Sequence, residues 1–387
     1  MFHSAAGIFV AMVNSPPQEF HVAPMQCYTN QPLRKLYRFL SSSSTLYSEM
    51  EKVDDLLQNI DEALHKRLYG EQDDTNLILQ LGSNDPNKLD RCVRAASLCF
   101  PNLKEINLNC GCPAIDTGGA ATYGASLMKD TSLTSNLVKS MSSATDTDIS
   151  VKCRIGVFDT AEHLRPLNEE DYQYLSNYIS EIHNAGAKHV VLHARPAILS
   201  MSPVKNRNIP TLDYDFANQI ATDFDGRVKV TMNGGINSLD QLYSFQNDKT
   251  STINSYMSGR WCLRRPLDLV AIEQTLGNGV IMDPHKAIDK YIDYALQSSF
   301  PISELCLPLY LVVEQLREDY EQEEEGDLLS WEDMEDLYDI IQDGLKALGS
   351  GKVKTSNSVN FKRLASSFKS VVGTKVVNKW KRNRSEL

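Results

Sequence analysis

"EINLNCGCPA", residues 105–114, is a short apolar, β-prone run that ends in polar and conformationally special residues. The fold follows from how often that form recurs. Comparable runs stand at "HVAPM" (21–25), "LYSEM" (46–50), "LILQLGS" (77–83), "ISVKCRIG" (149–156), "HVVLHAR" (189–195), "VKVTMNGG" (228–235) and "SYMSGR" (255–260). Together they make eight candidate strands. Several are near-continuous apolar runs, as expected of parallel strands covered on both faces. The spacers between them hold amphipathic segments. "MEKVDDLLQNIDEALHKRL" (50–68) has apolar residues at helical intervals. "DPNKLDRCVRAASLCF" (85–100) offers Asp85 as an N-cap and Pro86 at the first helical position. Eight strand–helix units in about 250 residues is the count of a (β/α)8 TIM barrel. A doubly wound sheet would want an early GxGxxG turn, which this sequence lacks.

The pattern changes after Pro266. From about residue 284 onward the segments read as helices, among them "HKAIDKYIDYALQSS", "ISELCLPLYLVVEQLREDY", "MEDLYDIIQDGLKALG" and "NFKRLASSFKS". The expected organisation is a short extension (1–20), a barrel (21–283) and an all-α C-terminal domain (284–387). No apolar run approaches the roughly 20 residues of a membrane span. The N-terminal segment has no basic n-region, so it reads as an extension and the expected location is cytoplasmic. The eight cysteines are scattered except for Cys110 and Cys112. Without CxxC pairs or nearby histidines they point away from zinc or disulfides and toward reduced thiols. The net charge is −11, yet residues 351–387 carry seven Lys and three Arg against Glu386 alone. A basic end on an acidic body suits a polyanion, although charge alone favours a solvated tail.

In a barrel, reactive residues gather at the C-terminal ends of the strands. Here those ends hold Pro24 and Met25, Gln80, Asn109 with Cys112, Lys152 with Arg154, His193 with Arg195, Asn233-Gly234-Gly235, and Gly259-Arg260. Singly each is weak, since a lone His is usually structural and a Gly-Gly is usually a turn. Their shared register is the strong signal, because barrel geometry converges them on one mouth. Glycines after the last two strands place backbone N–H groups where barrels often cradle a phosphate, and Arg260 adds charge-assisted hydrogen bonds.

The motifs "APMQCYT", "LQLGSNDP", "INLNCGCPA", "GASLMKD", "VKCRIG", "HARPAILSMSPVKNRNIPTLDY", "NGGI" and "SGR" follow in this order from Ala23 to Arg260. This set resembles the tRNA-dihydrouridine synthases, flavoenzymes with a barrel and a helical domain. The segment 193–214 most resembles the A branch, which acts on D-loop uridines around positions 20 and 20a. The helical region is similar mainly through "FKSVVGTKVVNKWKRNR" (368–384). The resemblance implies that NADPH reduces FMN, that hydride passes to C6 of uridine, and that Cys112 protonates C5. A thiol near pKa 8.5 is mostly protonated at neutral pH and suits a general acid.

The resemblance also assigns Lys152 and Gln80 to the flavin's pyrimidine edge, and Ala23, Pro24 and Met25 to a wall against its ring. His193, Asn233, Gly234, Gly235, Gly259 and Arg260 would hold the phosphate end. Asn109, Arg154 and, less directly, Arg195 would face the uridine. A uridine reduced inside a barrel mouth must leave its stack, so a broad grip on RNA phosphates is needed. Lys379, Lys381 and Arg382 in the basic tail are its candidate suppliers, with Trp380 a stacking or packing residue. tRNA and NAD(P)H are the expected partners, with no membrane, metal or obligate protein partner.

Cys110 and Cys112 share strand parity. Gly111 and the restriction before Pro113 are expected to turn the chain, sending Cys112 into the mouth and leaving Cys110 to pack. Two competing readings stand beside this one. A barrel flavoenzyme acting on a small pyrimidine would have no use for a basic tail. A silent RNA-binding protein would have no use for Cys112, Lys152 and His193 together.

Overall fold

A computed structural model describes residues 18–68, 71, 74–113, 123–276 and 282–322. Its centre is a closed barrel of eight parallel strands in sequential order. They are β1 (Glu19–Val22), β2 (Thr45–Lys52), β3 (Leu77–Gly82), β4 (Glu105–Cys110), β5 (Asp148–Arg154), β6 (Ala187–His193), β7 (Lys229–Asn233) and β8 (Ser255–Ser258). β8 pairs with β1 from Glu19 opposite Ser255 to Val22 opposite Ser258, which closes the ring.

The outer layer is α1 (Gln31–Leu40), α2 (Ile60–Arg67), α3 (Pro86–Cys99), α4 (Thr131–Ala144), α5 (Glu169–Asn184), α6 (Tyr214–Asp223), α7 (Leu239–Gln246) and α8 (Asp268–Thr275). Local chemistry sets where several of them begin. Asp85 accepts from the N–H groups of Asn87 and Lys88 at the start of α3, with Pro86 behind it. Asn168 and Asp171 form a reciprocal capping box on α5. Asn30 caps α1 through the N–H of Leu33.

Two sequence expectations shift. The single helix read over 50–68 is divided, because Met50, Glu51 and Lys52 continue β2 opposite Gln80, Leu81 and Gly82. Helix then resumes as one turn at Val53–Leu56 and again as α2. The first strand lies earlier than 21–25: Met25 leaves the sheet into a turn in which its carbonyl accepts from the N–H groups of Tyr28 and Thr29.

One large apolar core fills the space between the barrel and its helices. Ala23, Tyr47, Ile78, Val191 and Met257 form a separate buried cluster inside the barrel. The rest of the lumen is markedly polar. His21, Gln80, Glu105, Asn107, Ser150, His189, Thr231 and Ser255 are all buried. At the N-terminal end, Glu19 takes Lys104 at 2.9 Å and Lys229 at 2.7 Å. Against the pull of burial, a hydrogen bond with His21 and then these two lysines hold its carboxyl far below the usual range.

Outside the barrel, the serine run 41–44 wraps the buried carboxylate of Glu273 on α8. Ser41, Ser42 and Ser43 donate their hydroxyls and Ser43 its N–H. Two further helices, α9 (Pro284–Gln297) and α10 (Ile302–Gln322), pack against α1. Tyr294 of α9 donates to Gln31. Gln315 of α10 accepts the N–H of Leu267 and donates to Asp268. No described helix is long and apolar enough to cross a membrane. The extension over 1–17, the segments "MEDLYDIIQDGLKALG" and "NFKRLASSFKS", and Lys379, Lys381 and Arg382 lie outside the described residues.

Arg34 on α1 links this scaffold to the barrel mouth. Its guanidinium is buried and forks onto Glu71, and it also donates to the carbonyls of Thr29 and Arg67. Thr29 in turn accepts the Met25 N–H through its hydroxyl at 2.9 Å. Removing one partner leaves a buried charge uncompensated, so Arg34→Met is expected to lower stability by about 3–5 kcal/mol. Urea unfolding measures this, and an unchanged midpoint would refute it.

Candidate active site

The C-terminal ends of the strands bring the predicted residues together. Asn109 sits opposite Lys152, Arg154 opposite His193, and His193 opposite Asn233 in successive register pairs. Asn233 sits opposite Met257 and donates to its carbonyl at 2.9 Å. The wall over β1 and β8 is equally close. A Cβ on Gly259 would lie 2.9 Å from the Met25 sulfur and 3.2 Å from the Ala23 Cβ, so a larger residue there would push Met25 aside. Pro24 stands between them, half-buried.

The turn after β7 needs its glycines for a different reason. Gly234 has φ +111° and Gly235 φ +73°, where side chains are disfavoured. A Cβ on Gly234 would come within 2.5 Å of the His193 ring, so this turn shapes itself around that imidazole. Tyr214 steadies it by donating to the Gly234 carbonyl at 2.7 Å.

Among the described residues, positive charge accumulates here without a matching carboxylate. The groups among them whose charge acts on Lys152 are Arg154, Cys153 and Cys112, with no carboxylate present. Burial, helped by the charge of Arg154, depresses its ammonium to about 8. Arg154 is buried and is brought down to about 10, first by burial and then by Arg195 and Arg207, against the opposing pull of Cys112. His193 is held well below its ordinary value by burial and by Arg154, Lys152, Arg195 and Arg260, so its ring is neutral. Arg195 donates to the carbonyls of Pro210 and Asn208, and its buried Nε has no partner. Arg260 is exposed and reaches the Asn208 side chain at 3.3 Å. Cations that are desolvated here, with no anion beside them among the described residues, suit an anionic ligand. With the paired positive-φ glycines, the donor set fits a flavin mononucleotide's phosphate, and Lys152 with Gln80 fits its ring edge.

The two cysteines part company. Cys110 is fully buried on the outer face of the sheet. Burial pushes its thiol up to about 12, against a hydrogen bond with Tyr178 of α5. Cys112 is half-buried and lies in electrostatic reach of Lys152 and Arg154. Gly111 lies against the β5 backbone, where a Cβ would stand 3.3 Å from the Lys152 carbonyl. The Asn109 side-chain oxygen accepts from the N–H groups of Gly111 at 3.1 Å and Cys112 at 3.0 Å. Arg154 Nε donates to the Gly111 carbonyl at 3.1 Å. The N–H of Ala125 closes on the Cys112 carbonyl at 2.8 Å. In this structure, then, Asn109 and Arg154 hold the loop that presents Cys112.

Gln80 is buried, with its amide nitrogen on Asn107 and its oxygen on Asn109. Sequence reasoning passed over Asn107, Asn208 and Thr29. "NLN" carried the signal for the first, since Asn107 shares strand parity with Asn109. Asn208 and Thr29 act through loop contacts that no periodicity announces.

The dihydrouridine synthase (Dus) family model matches residues 21–299. The chain is 35% identical over 262 residues to a tRNA-dihydrouridine(20/20a) synthase of Pseudomonas putida, covering 67% of this chain and 72% of that protein. A protein of the same name from Pasteurella multocida is 31% identical over 281 residues, 72% of this chain and 80% of that one. Another, from Xanthomonas axonopodis pv. citri, is 38% identical over 217 residues, 56% of this chain and 60% of that one.

Lys152 yields a test that needs no substrate. An unfolded lysine titrates near 10.4, whereas here the ammonium is depressed to about 8. Between those values the unfolded chain binds more protons, so the ligand-free protein gains stability as pH rises through that window. Lys152→Met is expected to flatten that rise and to stabilise the ligand-free protein at pH 7 by about 1–3 kcal/mol. Thermal melts across pH decide it: a variant no more stable than its parent at pH 7 shows that the charge carries no burial cost.

Proposed function

Starting from the premise that the chain belongs to the dihydrouridine synthase family, we propose that it is a flavin-dependent oxidoreductase that converts uridine to 5,6-dihydrouridine in tRNA. The finer reading takes FMN as the cofactor, NADPH as the reductant and D-loop uridines around positions 20 and 20a as the substrate. The names of the relatives from Pseudomonas and Pasteurella support the position. The observation that carries the reading is the placement of Cys112 within electrostatic reach of Lys152 and Arg154, in a barrel mouth whose cations have no carboxylate partner among the described residues.

When bound, FMN supplies hydride to C6 of the uracil. The protein's own residues do the rest. Met25, with Ala23 and Pro24, walls one side of the mouth against Gly259. Arg195 and Arg260, with the turn at Asn233-Gly234-Gly235, take the phosphate, and neutral His193 fills the space between that turn and Lys152. The Lys152 cation favours negative charge at the ring edge, where Gln80 keeps one further N–H for hydrogen bonding. Asn109 and Arg154 set the loop so that the Cys112 thiol faces the mouth. From there it gives its proton to C5, leaving a thiolate stabilised by Lys152 and Arg154. The basic stretch that includes Lys379, Lys381 and Arg382 supplies phosphate contacts to the rest of the tRNA, and the protein acts in the cytoplasm. A small pyrimidine would make no use of that stretch.

Cys112→Ala is expected to purify with flavin bound and to bind tRNA like its parent. Its rate of dihydrouridine formation is expected to fall by about 10²-fold or more, the range for a lost general acid. Parental turnover would remove Cys112 from the chemistry. Truncation before Gly351 is expected to weaken tRNA binding and reduce its salt dependence while flavin content is unchanged. Equal affinity at moderate salt would show that the basic end is only a solvated tail.

A further inference from the structure

After β5 and β6 the chain forms a second, small sheet in which Val157 and Phe158 pair in parallel with Ala197 and Ile198. The N–H groups of Ala197 and Leu199 bond to the carbonyls of Gly156 and Phe158. Successive residues of a strand turn their main-chain groups to opposite sides, so the Ile198 N–H and C=O face away from that partner. They stand on a sheet edge, yet Ile198 is fully buried, and buried main-chain groups need partners. Both find one in the Asn206 side chain. Its Oδ1 accepts the Ile198 N–H at 2.7 Å, and its Nδ2 donates to the Ile198 carbonyl at 2.8 Å. Nδ2 also donates to the Met201 carbonyl at 2.7 Å.

A carboxamide suits this place for a definite reason. An N–H only donates and a carbonyl only accepts, so the group between them must offer an acceptor on one arm and a donor on the other. A carboxylate lacks the donor, and a single hydroxyl cannot span both. Asn206 is itself fully buried, so water cannot replace these bonds.

The segment fastened in this way is the one that two arginines of the mouth lean on. The N–H groups of Asn208 and Ile209 close on the Lys205 carbonyl, which makes a tight turn just beyond the tie. Arg195 donates to the carbonyls of Asn208, at 3.3 Å, and of Pro210. Arg260 donates to the Asn208 side-chain oxygen at 3.3 Å. Among the described residues these are the hydrogen bonds that the two guanidiniums make, and the buried Arg195 Nε is left without a partner. Their direction is therefore taken from residues 208–210.

We propose that Asn206 is a positioning residue: by closing the free edge of the small sheet at Ile198 it fixes the turn over 205–210, and through Asn208 and Pro210 it sets Arg195 and Arg260 to receive the flavin's phosphate. This deepens the reading of these two arginines as phosphate cations and rests on it. Without the tie the arginines keep their charge and lose their aim, so the loss falls on the phosphate and not on the flavin ring.

The test uses the full chain freed of flavin and titrated with FMN and with riboflavin, which carries the same ring and no phosphate. The parent is expected to prefer FMN by about 10²-fold or more, from one charge-assisted contact per arginine. Asn206→Ala is expected to cut that preference about tenfold and to leave riboflavin affinity at the parent's. An unchanged preference overturns the proposal. So does an equal loss for both flavins, which marks general destabilisation. In a cycle with Arg195→Met, the two changes together are expected to cost less than the product of their separate effects, because Asn206 acts through that guanidinium. A full product means independent action and overturns the proposal.

Should Asn206→Ala fail to fold, Asn206→Ser takes its place in the same titrations, with the same expected and overturning results. Its hydroxyl can serve one Ile198 group but not both. A parent that binds the two flavins equally would refute the phosphate reading itself. A parent that prefers FMN, beside a variant that prefers it as strongly, would refute the role of Asn206 alone.

Discussion

A closed parallel barrel leaves its inward side chains no water to turn to, and this one fills its lumen with polar groups. Each buried donor or acceptor must then meet a partner inside the ring or cost free energy. Most of this molecule's organisation follows from that demand. At the N-terminal end the demand is met by charge: Lys104 and Lys229 close on Glu19. In the middle, His189 lies between Glu105 and Thr231, with Ser255 beyond. Toward the mouth the amides of Asn107, Gln80 and Asn109 take over.

At the C-terminal end the internal partners run out. Lys152, Arg154, Arg195 and Arg260 crowd one side, and the charges that depress Arg154 and His193 come from one another, not from acids. The same barrel that satisfies its polar contents below therefore leaves, among the described residues, a deficit of negative charge above. That gradient separates the satisfied lumen from the mouth. It also gives the cysteines different fates. Cys110 belongs to the satisfied core beside Tyr178, and Cys112 stands two residues later at the edge of the deficit.

Outer supports serve the same end. Arg34 ties α1 to the Thr29 turn and so to the main chain of Met25. Glu273 gathers three serine hydroxyls next to the strand that follows them. The serine run reads as featureless loop in the sequence, since nothing in four identical small residues names a carboxylate more than two hundred positions away. Helix α2 illustrates the opposite error. Its periodicity is real, yet pairing of Met50 to Lys52 with β3 overrode helix propensity at the start of the segment.

The eight strands of the barrel, their order and most of the residues near their ends were legible from the chain alone, because a parallel barrel repeats one short apolar pattern and puts its chemistry where each repeat stops; the small separate sheet of Val157–Phe158 with Ala197–Ile198 was not. The cluster of Gln80, Asn109, Cys112, Lys152, Arg154, His193 and the glycine turns was visible for that reason. Which way those side chains face, and what each one touches, belonged to the tertiary structure. Gln80 and Asn109 hydrogen-bond across β3 and β4, and Arg154 of β5 holds the Gly111 carbonyl. Cys110 and Cys112 share parity in the sequence and separate in space. A residue's partner across a barrel is fixed by strand register and closure, which join positions that no local spacing connects.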